Sequence, residues 1–288
     1  METIKNDKLK VEVSEHGAEL QSIKDNGGEE YLWQGDPAYW GRRSPILFPI
    51  VGTVCDNTYR VGGKEYHLTR HGFARDRDFR LLAKGDEQVV FGLHDDAETM
   101  KLYPYHFNLA VSYKLAGNKI HVVWHVENTD DKIIFFQIGG HPAFLVPGAK
   151  AGESVKGSLR FDNPEPMRVF INKEGFLSRD YRPFDTEKGL FRFTEDSFKD
   201  DAIVFDHSQL RHVELLDAAG NPHVSLDFKT PAVGVWTPFG KHAPFVCVEP
   251  WYGITDQAGF DGEFKDKYLM NQLLPGSSFM SEYVITIG

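Results

Sequence analysis

The chain has 288 residues, a formal net charge of −10 and 26% charged residues; its pI is near 5.6. That acidity excludes a basic nucleic-acid binder and a protein that docks on an anionic membrane surface. No run approaches the ~20 apolar residues of a membrane-spanning helix, and two cysteines, Cys55 and Cys247, are too few and too far apart for a disulfide scaffold. No Cys-x-x-Cys metal spacing occurs. Met1 to Asp7 lacks the apolar core of a signal peptide. The expectation is a reduced, cytoplasmic protein with no metal, no cofactor, and a small molecule as partner. With 13% aromatic residues, 22 of them Phe, and 27 glycines, the composition favours strands and turns over helices.

In chain order, Leu9 to Val13 alternates at period two, as a half-buried strand does. The turn Asp25-Asn26-Gly27-Gly28 follows, then Tyr31 to Gly35 as another predicted strand. Arg42 and Arg43 lie between Trp40 and the proline-broken apolar run Pro45 to Val51. A guanidinium fork suits oxygen-rich ligands, and a surface pair covering Trp40 is the plainer alternative. Tyr59 to Tyr66 reads as a hairpin around Gly62-Gly63. Arg70-His71-Gly72-Phe73-Ala74-Arg75-Asp76 is a charged, glycine-broken loop with neither helical nor strand periodicity. Ile120 to Asn128 alternates, which puts His121 and His125 on a solvent face rather than in a metal pair.

An apolar strand, Ile133 to Phe136, then runs into Gln137-Ile138-Gly139-Gly140-His141-Pro142. Paired glycines let the backbone turn or approach a ligand, and proline ends ladder pairing. His141 is therefore expected at a sheet rim or cleft. Histidine's pKa near neutrality suits it to proton transfer, and a turn-capping histidine is the bland alternative. Asp200 and Asp201 precede the strand Ile203 to Phe205, as substrate contacts or as turn caps. Phe245 to Val248, apolar on both faces, places Glu249 at its end before Pro250, Trp251 and Tyr252. A carboxylate so placed is poorly solvated, which raises its pKa toward the range of a general base. Asp256 to Met270 has room for one short helix, and Phe279 to Ile287 alternates as a closing strand. At least fifteen short strands, no linker and no fixed-period repeat point to one large antiparallel sandwich.

Taken together, Gly-Gly-His141-Pro-Ala-Phe, Arg-His71-Gly-Phe-Ala-Arg75 and Glu249-Pro-Trp251-Tyr-Gly resemble the aldose 1-epimerase (galactose mutarotase) family, and within it the LacX-type bacterial branch. The resemblance covers almost the whole chain. It implies an all-β, large antiparallel β-supersandwich with few short helices, as a single galactose mutarotase-like domain over residues 1–288. It further implies metal-independent interconversion of the α and β anomers of a hexose. By the same resemblance His141 matches the catalytic acid, Glu249 the catalytic base and His71 a substrate-positioning histidine. Asp200, or its neighbour Asp201, falls where the family's sugar-binding aspartate lies. The arginine of the galactose mutarotase branch is missing from Val51 to Asn57, with Arg43 or Arg75 as replacements. The His71-Gly-Phe-Ala-Arg75 run also resembles hexose-6-phosphate 1-epimerases, in which Arg42, Arg43 or Arg75 would clamp a phosphate. A carbohydrate-binding protein without turnover is the alternative of another class.

The chemistry fits these residue types. Opening a pyranose removes a proton from O1 and delivers one to O5. A carboxylate and an imidazolium can do both and exchange roles on closure, each transfer being worth roughly two to four powers of ten in rate. Trp251, Phe73 and Phe144 are candidates to pack on the sugar's apolar face.

Overall fold

Two antiparallel sheets organise the computed structural model, which describes residues 1–173 and 175–288. The larger has nine strands. Its centre is formed by Phe107–Ala116, Lys119–Asn128 and Ser278–Ile287, three ten-residue strands paired in register. Along Lys119–Asn128, Ile120, Val122, Trp124 and Val126 are buried, while His121 and His125 take the other face. His121 Nδ1 lies 3.0 Å from Glu282 on the neighbouring strand, the solvent-face role expected of it.

The smaller sheet has six strands, five of them in one path running Ile203–Phe205, Ala232–Trp236, Phe245–Tyr252, Ile138–Gly140 and Ile46–Leu47, with the sixth, Ala143–Leu145, paired to Phe245–Tyr252 beside it. The central strand Phe245–Tyr252 explains the layering. Val246 and Val248 point into the main core shared with the large sheet. Each such side chain contributes roughly 1.5–3 kcal/mol of burial. Phe245 and Cys247 point the other way, into a small cluster with Trp33, Ala143 and Ala243. Trp251, on that same outer face, belongs to a third cluster with Leu47, Val204 and Ile254. Glu249 lies between these two outer clusters, because residues 245, 247, 249 and 251 share one face.

Several expectations change here. Glu249 is mid-strand, not at the strand's end, and Pro250 is inside the ladder opposite Val233. Proline is tolerated because the other edge of this strand is interrupted at that point. Ala143–Leu145 pairs with residues 245–247, Ile138–Gly140 with residues 251 and 252, and the chain crosses between them at His141-Pro142. Gly139 and Gly140 do not turn the chain; they are strand residues that allow close packing. A Cβ on Gly139 would sit 2.7 Å from Trp251 Cδ1, and one on Gly140 would sit 3.0 Å from the Tyr283 ring. Tyr31 to Gly35 makes a single isolated bridge among the described residues, Leu32 to Phe144. The short helix expected between Asp256 and Met270 is a single 3₁₀ turn, Phe264–Asp266. The hairpin at Gly62-Gly63 forms as expected, with φ of 57° and 76° suited to glycine.

Candidate active site

The gap in the small sheet brings His141 onto Glu249. His141 Nε2 lies 3.1 Å from Glu249 Oε2. Both are buried, at 7% and 2% exposure. The imidazole stacks on Trp40, with ring centroids 4.8 Å apart, and meets the edge of Trp236 at 5.6 Å. Its Nδ1 is buried with no hydrogen-bond partner among the described residues.

Burial is the main force on both titrations. It pushes His141 down to about 3, and the positive charges of Arg75, Arg70 and Arg42 act in the same direction. Burial raises Glu249 well above the ordinary carboxylate range; the Asp201 carboxylate adds to this and Arg70 opposes it. A deprotonated glutamate beside neutral histidine, or a protonated glutamate beside imidazolium, would leave a net buried charge. The pair therefore holds one proton between them as a unit.

His71 closes a third side. It adopts a left-handed backbone, φ 68°, which is strained for a residue with a side chain. Two bonds to one residue hold it there: its N–H donates to Gly52 O at 2.7 Å, and Gly52 N–H donates to its Nδ1 at 3.1 Å. Nδ1 is thus an acceptor, which leaves Nε2 as the protonated nitrogen of a ring that lines the cleft. Burial, with the neighbouring His141, holds His71 well below the ordinary imidazole pKa. Its ring meets that of His141 edge-on at 5.5 Å.

These residues open into a cleft of about 240 Å³, whose wall also includes Trp40, Arg70, Arg75, Asp201, Trp236 and Trp251. That is at the small end for a ligand site. Arg75 is anchored by a 2.6 Å bond from Nη2 to Arg70 O. Burial lowers it to about 10, with Arg42 adding and Asp76 opposing. Arg70 Nε donates to Thr53 Oγ1, and its Nη1 lies 3.8 Å from Asp201 Oδ2 across the mouth.

His141, Glu249, His71, Arg75 and Trp251 come together as the sequence suggested. Arg43 does not. Its guanidinium donates to Gln21 O at 2.6 Å, and its stem lies against Gly35, 3.2 Å from where a Cβ would stand. Arg42 pairs with Asp76 at 2.7 Å instead of facing the cleft. Of the adjacent aspartates, only Asp201 lines the cleft; both line a smaller neighbouring depression. Asp201 adopts a left-handed backbone, φ 74°. Phe73 and Phe144 are core residues, so the aromatic walls are Trp40, Trp236 and Trp251.

Sequence reasoning missed Arg70, Trp40 and Trp236 as wall residues. It also missed Glu19, a buried carboxylate that accepts from the backbone N–H groups of Arg43 and Ser44 at 2.8 and 2.9 Å. Glu19 fixes the segment that carries Trp40 to His141. Arg70 had a signal, its place beside His71, whereas Glu19 is 24 and 25 residues from its partners and had none.

A thiophilic donor also adjoins the pair. A His141 ring nitrogen, Cys247 Sγ and a Glu249 carboxylate oxygen all lie within 4.8 Å of one another, and all three residues are buried.

Comparison with known proteins identifies the family. The family model described as aldose 1-epimerase matches residues 2–269. The chromosomal LacX protein of Lactococcus lactis subsp. lactis is 32% identical over 99% of this chain and 98% of its own length. A crystal structure of a galactose mutarotase-like protein from Lactobacillus casei ATCC 334 superposes with a TM-score of 0.94 at 34% identity, covering 100% of both chains. A galactose mutarotase related enzyme from Lactobacillus acidophilus gives a TM-score of 0.93 at 35% identity, over 100% of this chain and 97% of that one. With the family model matching residues 2–269 and a relative 32% identical along almost its whole length, the chain belongs to the aldose 1-epimerase family.

Proposed function

We propose that the protein is a mutarotase that interconverts the α and β anomers of a hexose, with Glu249 and His141 as its acid–base pair. The observation that carries this reading is the 3.1 Å contact between two buried groups that together hold one proton. Ring opening needs one proton site empty and one filled, at O1 and O5 of the same sugar. With Glu249 as carboxylate and His141 as imidazolium, Glu249 takes the O1 proton while His141 protonates O5, and the C1–O5 bond breaks. The pair ends as carboxylic acid and neutral imidazole, the other tautomer of the same one-proton state. Rotation about C1–C2 presents the other carbonyl face. O5 then attacks C1, His141 recovers its proton from O5, and Glu249 returns one to the new O1. No net proton is exchanged with solvent.

His71, with Nε2 as donor, supports the substrate oxygens, and Asp201 accepts from sugar hydroxyls at the mouth. The three tryptophans supply apolar faces for the ring's C–H groups. Arg70 and Arg75 on the same cleft wall favour a second reading, a 6-phosphorylated hexose held by this pair. Anomer exchange measured by one-dimensional NMR on several aldoses and on their 6-phosphates tests both. Catalysed exchange on free sugars supports the first reading, and exchange confined to phosphosugars supports the second. Sugar binding with exchange at the spontaneous rate on every substrate would refute both.

A further inference from the structure

Cys247 takes no part in the proposed reaction. It does not line the cleft; it is fully buried, carries no disulfide, and stands two residues before Glu249 on the same face of the strand. It nevertheless completes a donor triad with the acid–base pair, every donor atom lying within 4.8 Å of the others. The His141 Nε2 already stands 3.1 Å from the Glu249 carboxylate, so two of the three donors are in mutual contact before any ion enters.

We propose that His141, Cys247 and Glu249 form a binding site for a thiophilic divalent cation, Zn²⁺ or its surrogate Cd²⁺, and that the bound ion switches the enzyme off. The donor set selects the ion. Thiolate, imidazole and carboxylate are zinc ligands, whereas Mg²⁺ and Ca²⁺ favour oxygen donors alone. Tetrahedral bonds of ~2.0–2.3 Å place ligand atoms roughly 3.3–3.8 Å apart, so donor atoms that all lie within 4.8 Å of one another need to contract by at most about 1.5 Å. Three protein donors leave the fourth position open toward the cleft.

The charges balance as well. Zn²⁺ binds as the Cys247 thiol proton and the one proton of the acid–base pair leave to solvent. No electron moves. One thiolate and one carboxylate then neutralise the ion, so the buried site is as neutral with metal as without it. Occupancy ties up both groups that ring opening needs, so metal binding and turnover exclude each other.

The inhibitory half of this inference rests on the proposed mutarotase reading; the binding half does not. The test therefore has two readouts. Cd²⁺ is titrated into the protein while the thiolate-to-cadmium charge-transfer absorption is followed. Zn²⁺ is titrated against the rate of anomer exchange, then removed with a chelator. The expected result is an absorption band in the wild type and in Cys55→Ser that is lost in Cys247→Ser. Exchange should be inhibited reversibly in the wild type. In Cys247→Ser the basal rate should be unchanged and zinc sensitivity at least roughly tenfold weaker, since losing a direct ligand should cost no less than losing a supporting one. Cys247→Ala serves the same purpose if the serine variant folds poorly in its apolar surroundings. A wild type without the band overturns the proposal, as does a band that persists without Cys247 or zinc inhibition equal in both proteins. If no sugar is turned over at all, the band alone still decides whether the site exists.

Discussion

The pH dependence of turnover follows from the one-proton state of the Glu249–His141 pair. On the acid side, activity is lost when a second proton enters and leaves a protonated glutamate beside imidazolium. Burial pushes His141 down from the ordinary 6.5 to about 3. The sign is that of a lowered histidine: the neutral ring persists as pH falls, until the folded value is reached. With an ordinary imidazole of pKa ~6.5, the productive fraction would fall roughly 25-fold between about pH 7 and pH 5. With the value imposed by burial, the fall over that interval is less than about twofold. On the alkaline side, burial raises Glu249, so the pair keeps its proton far above the usual carboxylate range. The assay is kcat/KM for conversion of a pure anomer, followed by NMR from about pH 4 to pH 9 with the buffer-catalysed background subtracted, since this ratio reports the free enzyme's groups. An acid limb with its midpoint near that of free imidazole would refute the argument, because His141 would then titrate as a solvated ring.

The adjacent aspartates make a matched pair. Asp201→Asn should raise KM about tenfold or more, the loss of a charged hydrogen-bond acceptor, and should shift the alkaline limb downward, because Asp201 helps raise Glu249. Asp200→Asn should leave steady-state kinetics within about twofold, since its position is outside the cleft. His71→Gln should lower kcat/KM by roughly two powers of ten, the scale for one lost donor to a developing oxyanion, with a small fall in Tm measured alongside. Gly139→Ala should destabilise by about 1–3 kcal/mol in denaturant titrations. Its Cβ would stand 2.7 Å from Trp251 Cδ1 and 3.0 Å from Pro250 O, so kcat should fall as His141 is displaced. Gly85→Ala, whose Cβ meets nothing within 4 Å, is the control and should change neither.

The strands were legible because one buried face imposes period two on the sequence, as in Lys119–Asn128. His141 and Glu249 were legible for a related reason: each interrupts an apolar strand with a group that such a strand does not need. The errors have physical causes too. Pro250 was read as a strand terminator, yet the ladder is interrupted on the edge where its N–H would have paired. The paired glycines suggest a turn or a close approach to a ligand, and the structure shows a close approach of another kind, to Trp251 and Tyr283 from distant strands. Arg43 looked like a sugar contact because adjacent arginines cannot be separated by composition. Its carbonyl partner, Gln21, is 22 residues away. Trp40 becomes a wall of the site only through the long-range clamp of Glu19, which no local pattern records.

Glu249→Gln tests the central claim most directly. The substitution keeps the shape of the side chain and removes the carboxylate. α/β exchange on the preferred sugar is measured by NMR, with Tm from calorimetry on the same sample. The carboxyl of Glu249 is raised in the folded state, so its stabilising protonation is lost as pH rises from the unfolded value toward the folded one. The variant escapes that loss. The account predicts a fall in exchange of at least about two powers of ten, with Tm at neutral pH equal to or above that of the wild type. A folded Gln variant that exchanges anomers at the wild-type rate would contradict it.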